Sequence, residues 1–145
     1  MGFAEDSLHM LALGAKVTAC EIHTVIHFLV ERDLEECPEI QDRFHLLLGD
    51  SLDHLAEMAQ GVDVFYFDPM FEEVTKKSLP KKNILFLRNL PAPASPPSHW
   101  VEKALKVGAK KVVVKRPPNG EHLYGRPTSI LSGKLVRYDV YINKD

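Results

Sequence analysis

Cysteine is scarce in this chain: Cys20 and Cys37 are the only two, and they form no CxxC pair. So few thiols exclude a disulfide-stapled scaffold and suit a reducing compartment. The opening stretch MGFAEDSLHM has neither a cationic start nor an apolar centre, so it does not read as a signal peptide. No apolar run reaches the roughly 20 residues that a bilayer span needs. Charge of one sign is not in excess either. With 18 Lys and Arg against 20 Asp and Glu, the net charge is −2, and any hold on a polyanion must come from local clustering. Repeats are absent, and the one biased stretch is PAPASPPS at 91–98. These absences lead us to expect a soluble, cytoplasmic protein with no membrane partner. Its 145 residues, 45% of them hydrophobic, suffice for a single domain, 1–145, with a real core.

What is present alternates. EDSLHMLALG spaces Leu8, Leu11 and Leu13 along one helical face and ends at Gly14. KVTACE, residues 16–21, reads as a strand, and 24–36 as a helix with Pro38 just beyond it. RFHLLLGD is a second strand and SLDHLAEMAQG a helix closed by Gly61. VDVFYF, 62–67, is continuously apolar and reads as a strand buried on both faces. A helix is expected over 79–90, with Pro80 near its first turn. Ser98 is placed to cap SHWVEKALKVG. KKVVVKRPP then reads as a strand, and TSIL with KLVRYDVYI as an antiparallel hairpin turning at Ser132-Gly133. Strands alternating with helices predict an α/β fold: a mostly parallel, Rossmann-like sheet with an antiparallel C-terminal edge.

Three successive strands finish on acids: Glu21, Asp50 and Asp68. In doubly wound sheets ligands sit outside the carboxyl ends of the strands. Glu21 follows Gly2 by 19 residues, close to the roughly 20-residue offset at which an acid accepts hydrogen bonds from ribose hydroxyls. Gly2 and the helix start at Glu5-Asp6 would then lie toward the ligand's other end. Each acid could instead merely cap the helix that follows it. Taken together they favour a nucleoside-like ligand. The acids of GFAED argue against a phosphate cradle, so a cationic tail is expected, as in S-adenosylmethionine.

The third acid opens Asp68-Pro69-Met70-Phe71, which resembles the D/N-P-P-Y/F/W signature of amino-group methyltransferases. An exocyclic base amine is a poor nucleophile because its lone pair is delocalised into the ring. A carboxylate and a backbone carbonyl can hold its two N–H protons and aim the lone pair at a methyl donor. Proline stiffens the turn, and the aromatic ring can stack on an extruded base. Met70 stands where the signature usually has a second proline.

The segments GFAED, LGAKVTACE, GDSL, FYFDPMF, KKSLPKKN, KKVVVKRP and RYDVY together resemble the RsmJ-type small-subunit ribosomal RNA (guanine-N2)-methyltransferases over nearly the whole chain. The resemblance implies S-adenosylmethionine as cofactor, with contacts on Gly2, Glu5, Asp6, Glu21, Ile22, Asp50, Ser51 and Asp68. It implies small-subunit ribosomal RNA, or the assembling subunit, as partner. Two departures stand out. Ala4 and Glu5 occupy positions where the family usually has glycine and arginine, so only the backbone of Glu5 is expected to serve. The sequence also begins at the glycine of a turn that the family's first strand normally precedes. We therefore expect an N-terminal region and first strand to be missing from this chain, with upstream in-frame codons encoding them. Cofactor binding by these 145 residues alone is expected to be weak or absent.

Lys76, Lys77, Lys81, Lys82, Lys115 and Arg116 cluster around the strand ends where a base would enter, and are expected to hold RNA phosphates. For the first four, a solvated helix face is the competing account. Lys110 and Lys111 precede their strand and read as solvation. His23 and His27 share a helical spacing near Cys20, but without an HExxH acid they do not suggest a metal site, and none is expected. Trp100 reads as a core anchor. An inactive module retaining only RNA binding or the fold, and an amino-methyltransferase acting on adenine N6 or protein glutamine, are the competing functions.

Overall fold

The computed structural model describes residues 4–59, 61–69 and 96–143. The expected helix over 79–90, the loop residues 91–95, Gly2, Met70, Phe71, Lys76, Lys77, Lys81 and Lys82 lie outside them. The chain divides into two compact units, the second beginning at Leu52.

In the first unit α1 (Glu5–Ala12) carries Glu5 and Asp6 in its opening turn, where they complement the helix dipole. Of the three leucines expected on one face, only Leu11 is buried; Leu8 and Leu13 face solvent. Leu13 lies beyond the helix, whose end is set by Gly14 at φ 90°. The N–H of Gly14 donates to the carbonyl of Leu11 and that of Ala15 to Met10, closing the turn. Arg43 Nη1 adds a 2.8 Å bond to the Leu11 carbonyl. β1 (Val17–Glu21) pairs in parallel with β2 (Phe44–Leu48), from Val17 opposite Phe44 to Glu21 opposite Leu48. Between them in sequence, α2 (Thr24–Glu35) buries Ile26 and Val30, one turn apart. Pro38 does not simply follow a helix. It opens a short one of its own, α3 (Pro38–Gln41), because the first helical position needs no N–H. Ala4, Leu11, Ala19, Ile26, Val30 and Phe44 make this unit's core.

The second unit holds a four-stranded sheet in the order β3-β4-β6-β5. α4 (Ser51–Met58) sends Leu55 into its core. β3 is only Phe65–Phe67, shorter than the expected 62–67, and Val64 is exposed. Phe65 is buried while Tyr66 and Phe67 are half-buried, so this strand is not covered equally on both faces. It pairs in parallel with β4 (Lys111–Arg116), Phe67 lying opposite Val114. β4 and β6 (Arg137–Ile142) run antiparallel, as do β6 and β5 (Ser129–Ser132). The hairpin turn spans 133–136 rather than Ser132-Gly133, and the Gly133 N–H donates to the Val136 carbonyl.

α5 (Pro97–Lys106) starts one residue before Ser98, with Pro97 in its first turn and no side-chain cap. Proline's fixed φ replaces the capping hydroxyl that the sequence suggested. Trp100, Val101 and Ala104 form its buried stripe and pack with Val112, Val114 and Tyr141 of the sheet. Trp100 is the expected core anchor: its ring stacks on Phe67 at 4.4 Å and meets Phe65 edge-on at 6.0 Å. Among the described residues no helix is long and apolar enough to cross a membrane.

Candidate active site

β1 delivers Glu21 to its carboxyl end with the side chain almost fully buried, at 2% exposure. A buried carboxylate must be hydrogen-bonded. Its Oε1 accepts the backbone N–H of His23 at 2.8 Å, two residues on, just before α2 begins. Ile22 itself is exposed. The Glu21 carbonyl accepts the Gly49 N–H at 2.9 Å, which ties the ends of β1 and β2 together. Gly49 sits at φ 133°, a conformation open mainly to glycine. Asp50 follows directly, and Ser51 opens α4. Burial pushes the Cys20 thiol up to about 11, and the charge of Asp50 adds to that rise. Asp50 therefore acts on the end of β1 as well as on its own helix. Glu5 and Asp6 lie in the first turn of α1. Ala4, just before it, is held in the left-handed region at φ 59°, where the resemblance led us to expect glycine.

This end of the first unit suits a nucleoside with a cationic tail. Glu21 offers a sequestered anionic acceptor of the kind that ribose hydroxyls require, and the neighbouring strand end supplies a second acid. His23 and His27 do not converge with Cys20 in a ligand set: the N–H of His23 serves Glu21, and the ring of His27 lies 3.9 Å from Glu31.

The second unit presents Asp68 and Pro69 at the carboxyl end of β3. Phe67 lies opposite Val114, so Asp68 falls beside Lys115. Lys115 Nζ donates to Asp68 Oδ2 at 3.1 Å, the side chains being 24% and 42% exposed respectively. Lys115 was expected on RNA phosphate; it is placed on the acid instead. Arg116 departs further from expectation. Alternation along β4 turns Val112, Val114 and Arg116 to the same buried face, and Arg116 is only 7% exposed. Burial lowers its guanidinium below the ordinary value, partly offset by Asp139, yet it stays charged at neutral pH. A side chain so placed is not a surface contact for phosphate.

Beside it lies a cluster that sequence reading missed. Asp139 on β6 is fully buried and accepts two bonds from Arg137, Nε to Oδ1 at 2.8 Å and Nη2 to Oδ2 at 3.1 Å. His122 Nδ1 approaches Oδ2 at 2.7 Å. Arg137 also donates to the carbonyls of Pro118 and Gly120, binding the loop after β4 to the last strand. A Cβ at Gly120 would come within 2.9 Å of Pro117 Cγ, so glycine is required for this close turn. The signal was available in RYD: two residues apart on a strand, Arg137 and Asp139 share a face.

Comparison with known proteins decides the family. Residues 1–143 match the profile of a family described as putative SAM-dependent methyltransferases. The chain belongs to this methyltransferase family. Its relatives include proteins named ribosomal RNA small subunit methyltransferase J from Shewanella oneidensis and Shewanella baltica, each 34% identical over 97% of this chain. This methyltransferase chain spans 60% of the length of those relatives. Among solved structures, a SAM-dependent methyltransferase from Neisseria gonorrhoeae aligns with a TM-score of 0.72 at 29% identity, covering 98% of this chain and 62% of that one. A conserved hypothetical protein from Streptococcus pyogenes shares the methyltransferase chain's fold, with a TM-score of 0.61 at 12% identity, covering 98% of this chain and 82% of that one.

Proposed function

We propose that the chain forms part of an S-adenosylmethionine-dependent methyltransferase that acts on the exocyclic N2 of a guanine in small-subunit ribosomal RNA. The observation that carries this reading is an acid–proline step at the carboxyl end of a parallel strand, Asp68-Pro69 after β3, in a member of this family. Relatives named for methylation of small-subunit ribosomal RNA supply the substrate class.

In this reading, bound S-adenosylmethionine supplies an electrophilic methyl group on a sulfonium. Glu21 would accept the ribose hydroxyls, while Asp50, Ser51, Ile22, Gly2, Asp6 and the backbone of Glu5 would hold the remainder of the cofactor. Asp68 and the Pro69 carbonyl would each accept an N–H of the guanine amine, with Met70 beside them in the sequence, and Phe71 would stack on the ring. The amine so held would receive that methyl group as its bond to sulfur breaks, leaving a neutral thioether, with one N–H proton passing to Asp68 or to water. Donors and acceptors fixed in advance lower the barrier because they need no reorganisation as charge moves. Lys76, Lys77, Lys81 and Lys82 hold phosphates through charge, a contact that weakens with salt.

Calorimetry with S-adenosylhomocysteine, on this chain and on one extended upstream, tests the cofactor half. Binding by the extended chain is expected, and failure of both to bind would overturn it. Methyl transfer to small-subunit RNA by the extended protein, lost in Asp68→Ala with an unchanged circular dichroism spectrum, tests the chemical half. Transfer to an adenine or to a glutamine peptide instead would overturn the guanine assignment.

A further inference from the structure

We propose that Lys115 is a positioning residue for Asp68, its ammonium group setting the rotamer and the charge of the carboxylate that receives the substrate amine. This role rests on the reading of Asp68 given above. The β3–β4 register brings the two together. Phe67 pairs with Val114, so the next residue on each strand stands at the same level, and the ammonium lies 3.1 Å from Oδ2.

Alternation supports the assignment. Val112, Val114 and Arg116 face α5 and the buried Asp139, whereas Lys115 turns to the other side of the sheet. There its cross-strand neighbour is Tyr138, whose ring lies 6.5 Å from that of Tyr66. Among the described residues, Lys115, Tyr66 and Tyr138 are thus the titratable groups that β4, β3 and β6 present near Asp68 on its side of the sheet, with Lys111 on that face at the far end of β4. Arg116, Arg137 and Asp139 lie on the opposite face. A lysine reaching for phosphate would extend into solvent; this one is three-quarters covered and turned toward the acid.

The chemical consequence is specific. Only an ionised carboxylate is purely an acceptor, and a neutral carboxyl would offer a proton where the amine must give one. A cation in contact favours the ionised form and limits the rotation of the carboxylate, so the acceptor is oriented before the base arrives. Arginine could preserve the charge with different reach, whereas methionine keeps the stem and removes the charge.

The decisive experiment follows the Asp68 carboxyl carbon by NMR through a pH titration of this chain, without cofactor or RNA. Lys115→Met is expected to move the midpoint upward by about one unit, and Lys115→Arg to restore most of the wild-type value. In the extended enzyme the acid limb of the kcat profile should shift in the same direction for Lys115→Met, with KM for RNA changed less than twofold. An unmoved Asp68 midpoint, or a loss confined to KM for RNA, would overturn the proposal and return Lys115 to phosphate binding. Should Lys115→Met not fold, Lys115→Gln in the same titration carries the test. Because the titration needs no methyl transfer, failure of the pairing and failure of the proposed reaction are separately visible.

Discussion

The acids that end β1 and β3 occupy opposite surroundings. Glu21 is buried to 2% exposure and receives a backbone N–H; Asp68 is 42% exposed and receives a lysine. A backbone donor cannot be swung aside, so the first arrangement suits a ligand taken up in the same pose at every turnover. A lysine on a flexible stem can yield, which suits an acid that must admit and release a large substrate. The second unit also contains the contrasting case, Asp139, buried as deeply as Glu21 but neutralised by Arg137. Depth alone therefore does not mark a functional acid. What separates these carboxylates is whether their partners are fixed in the fold or open to exchange.

The largest effect is expected where the partners are fixed. Asp139→Ala leaves Arg137 and Arg116 without their buried anion, and should cost about 3–5 kcal/mol in a denaturant titration. His122→Ala, which removes a half-exposed partner of the same acid, should cost under about 1 kcal/mol. Asp68→Ala should leave the denaturation midpoint almost unmoved while lowering kcat of the extended enzyme by about 10²–10³-fold, as loss of a positioned acceptor does elsewhere. Equal stability losses at Asp68 and Asp139 would break the distinction between them. Glu21→Gln should weaken S-adenosylhomocysteine binding by about tenfold, measured by calorimetry, because a charged acceptor becomes a neutral one.

Cys20, the neighbour of Glu21, gives a pH signature to the first unit. Its thiol is raised from 9.0 to about 11 by burial, with the charge of Asp50 contributing. The folded chain keeps this proton longer than the unfolded chain does. Stability is thus unaffected below pH 9 and falls as pH rises from there toward 11. Cys20→Ser should remove that slope from midpoints measured against pH. The smallest effect is expected at Ala4→Gly. Relief of left-handed backbone strain gains about 1–2 kcal/mol, but the lost buried methyl returns about 0.8 and the freer unfolded chain about 0.4–1. These contributions nearly cancel, so stability should stay within about 0.8 kcal/mol of the parent, whereas Ala4→Val should lose clearly more.

Much of this was legible in the sequence because it depends on local rules. The strand end at Glu21 and the alternation of strand and helix follow from periodicity, and Gly14, Gly61 and Gly108 do take the left-handed conformation that ends a helix; the second strand stops at Leu48, two residues short of Asp50. What escaped depends on pairing between distant segments. Lys115 reads as a cation at a strand end until the β3–β4 register sets it beside an acid 47 residues away. Arg116 reads as its twin until period-two alternation turns it inward. VDVFYF is apolar throughout, yet only Phe65 to Phe67 pair with β4, opposite Val112 to Val114, and a run of apolar residues does not say which of them will pair. Ser98 lost its capping role to a proline beside it, since two valid start signals competed and the sequence does not rank them.

Arg137 bonds a carboxylate on its own strand and two carbonyls of the preceding loop, and this makes the C-terminal strand a brace for residues that come well before it. The Lys115-Arg116-Pro117 segment can hold its shape only once β6 has docked, some twenty residues later in the chain. The final step of assembly thus governs the firmness of ground laid earlier. A ribosome releasing this chain a few residues short of Arg137 would leave every acid and lysine of the site in the sequence, and the ledge beside Asp68 unsupported.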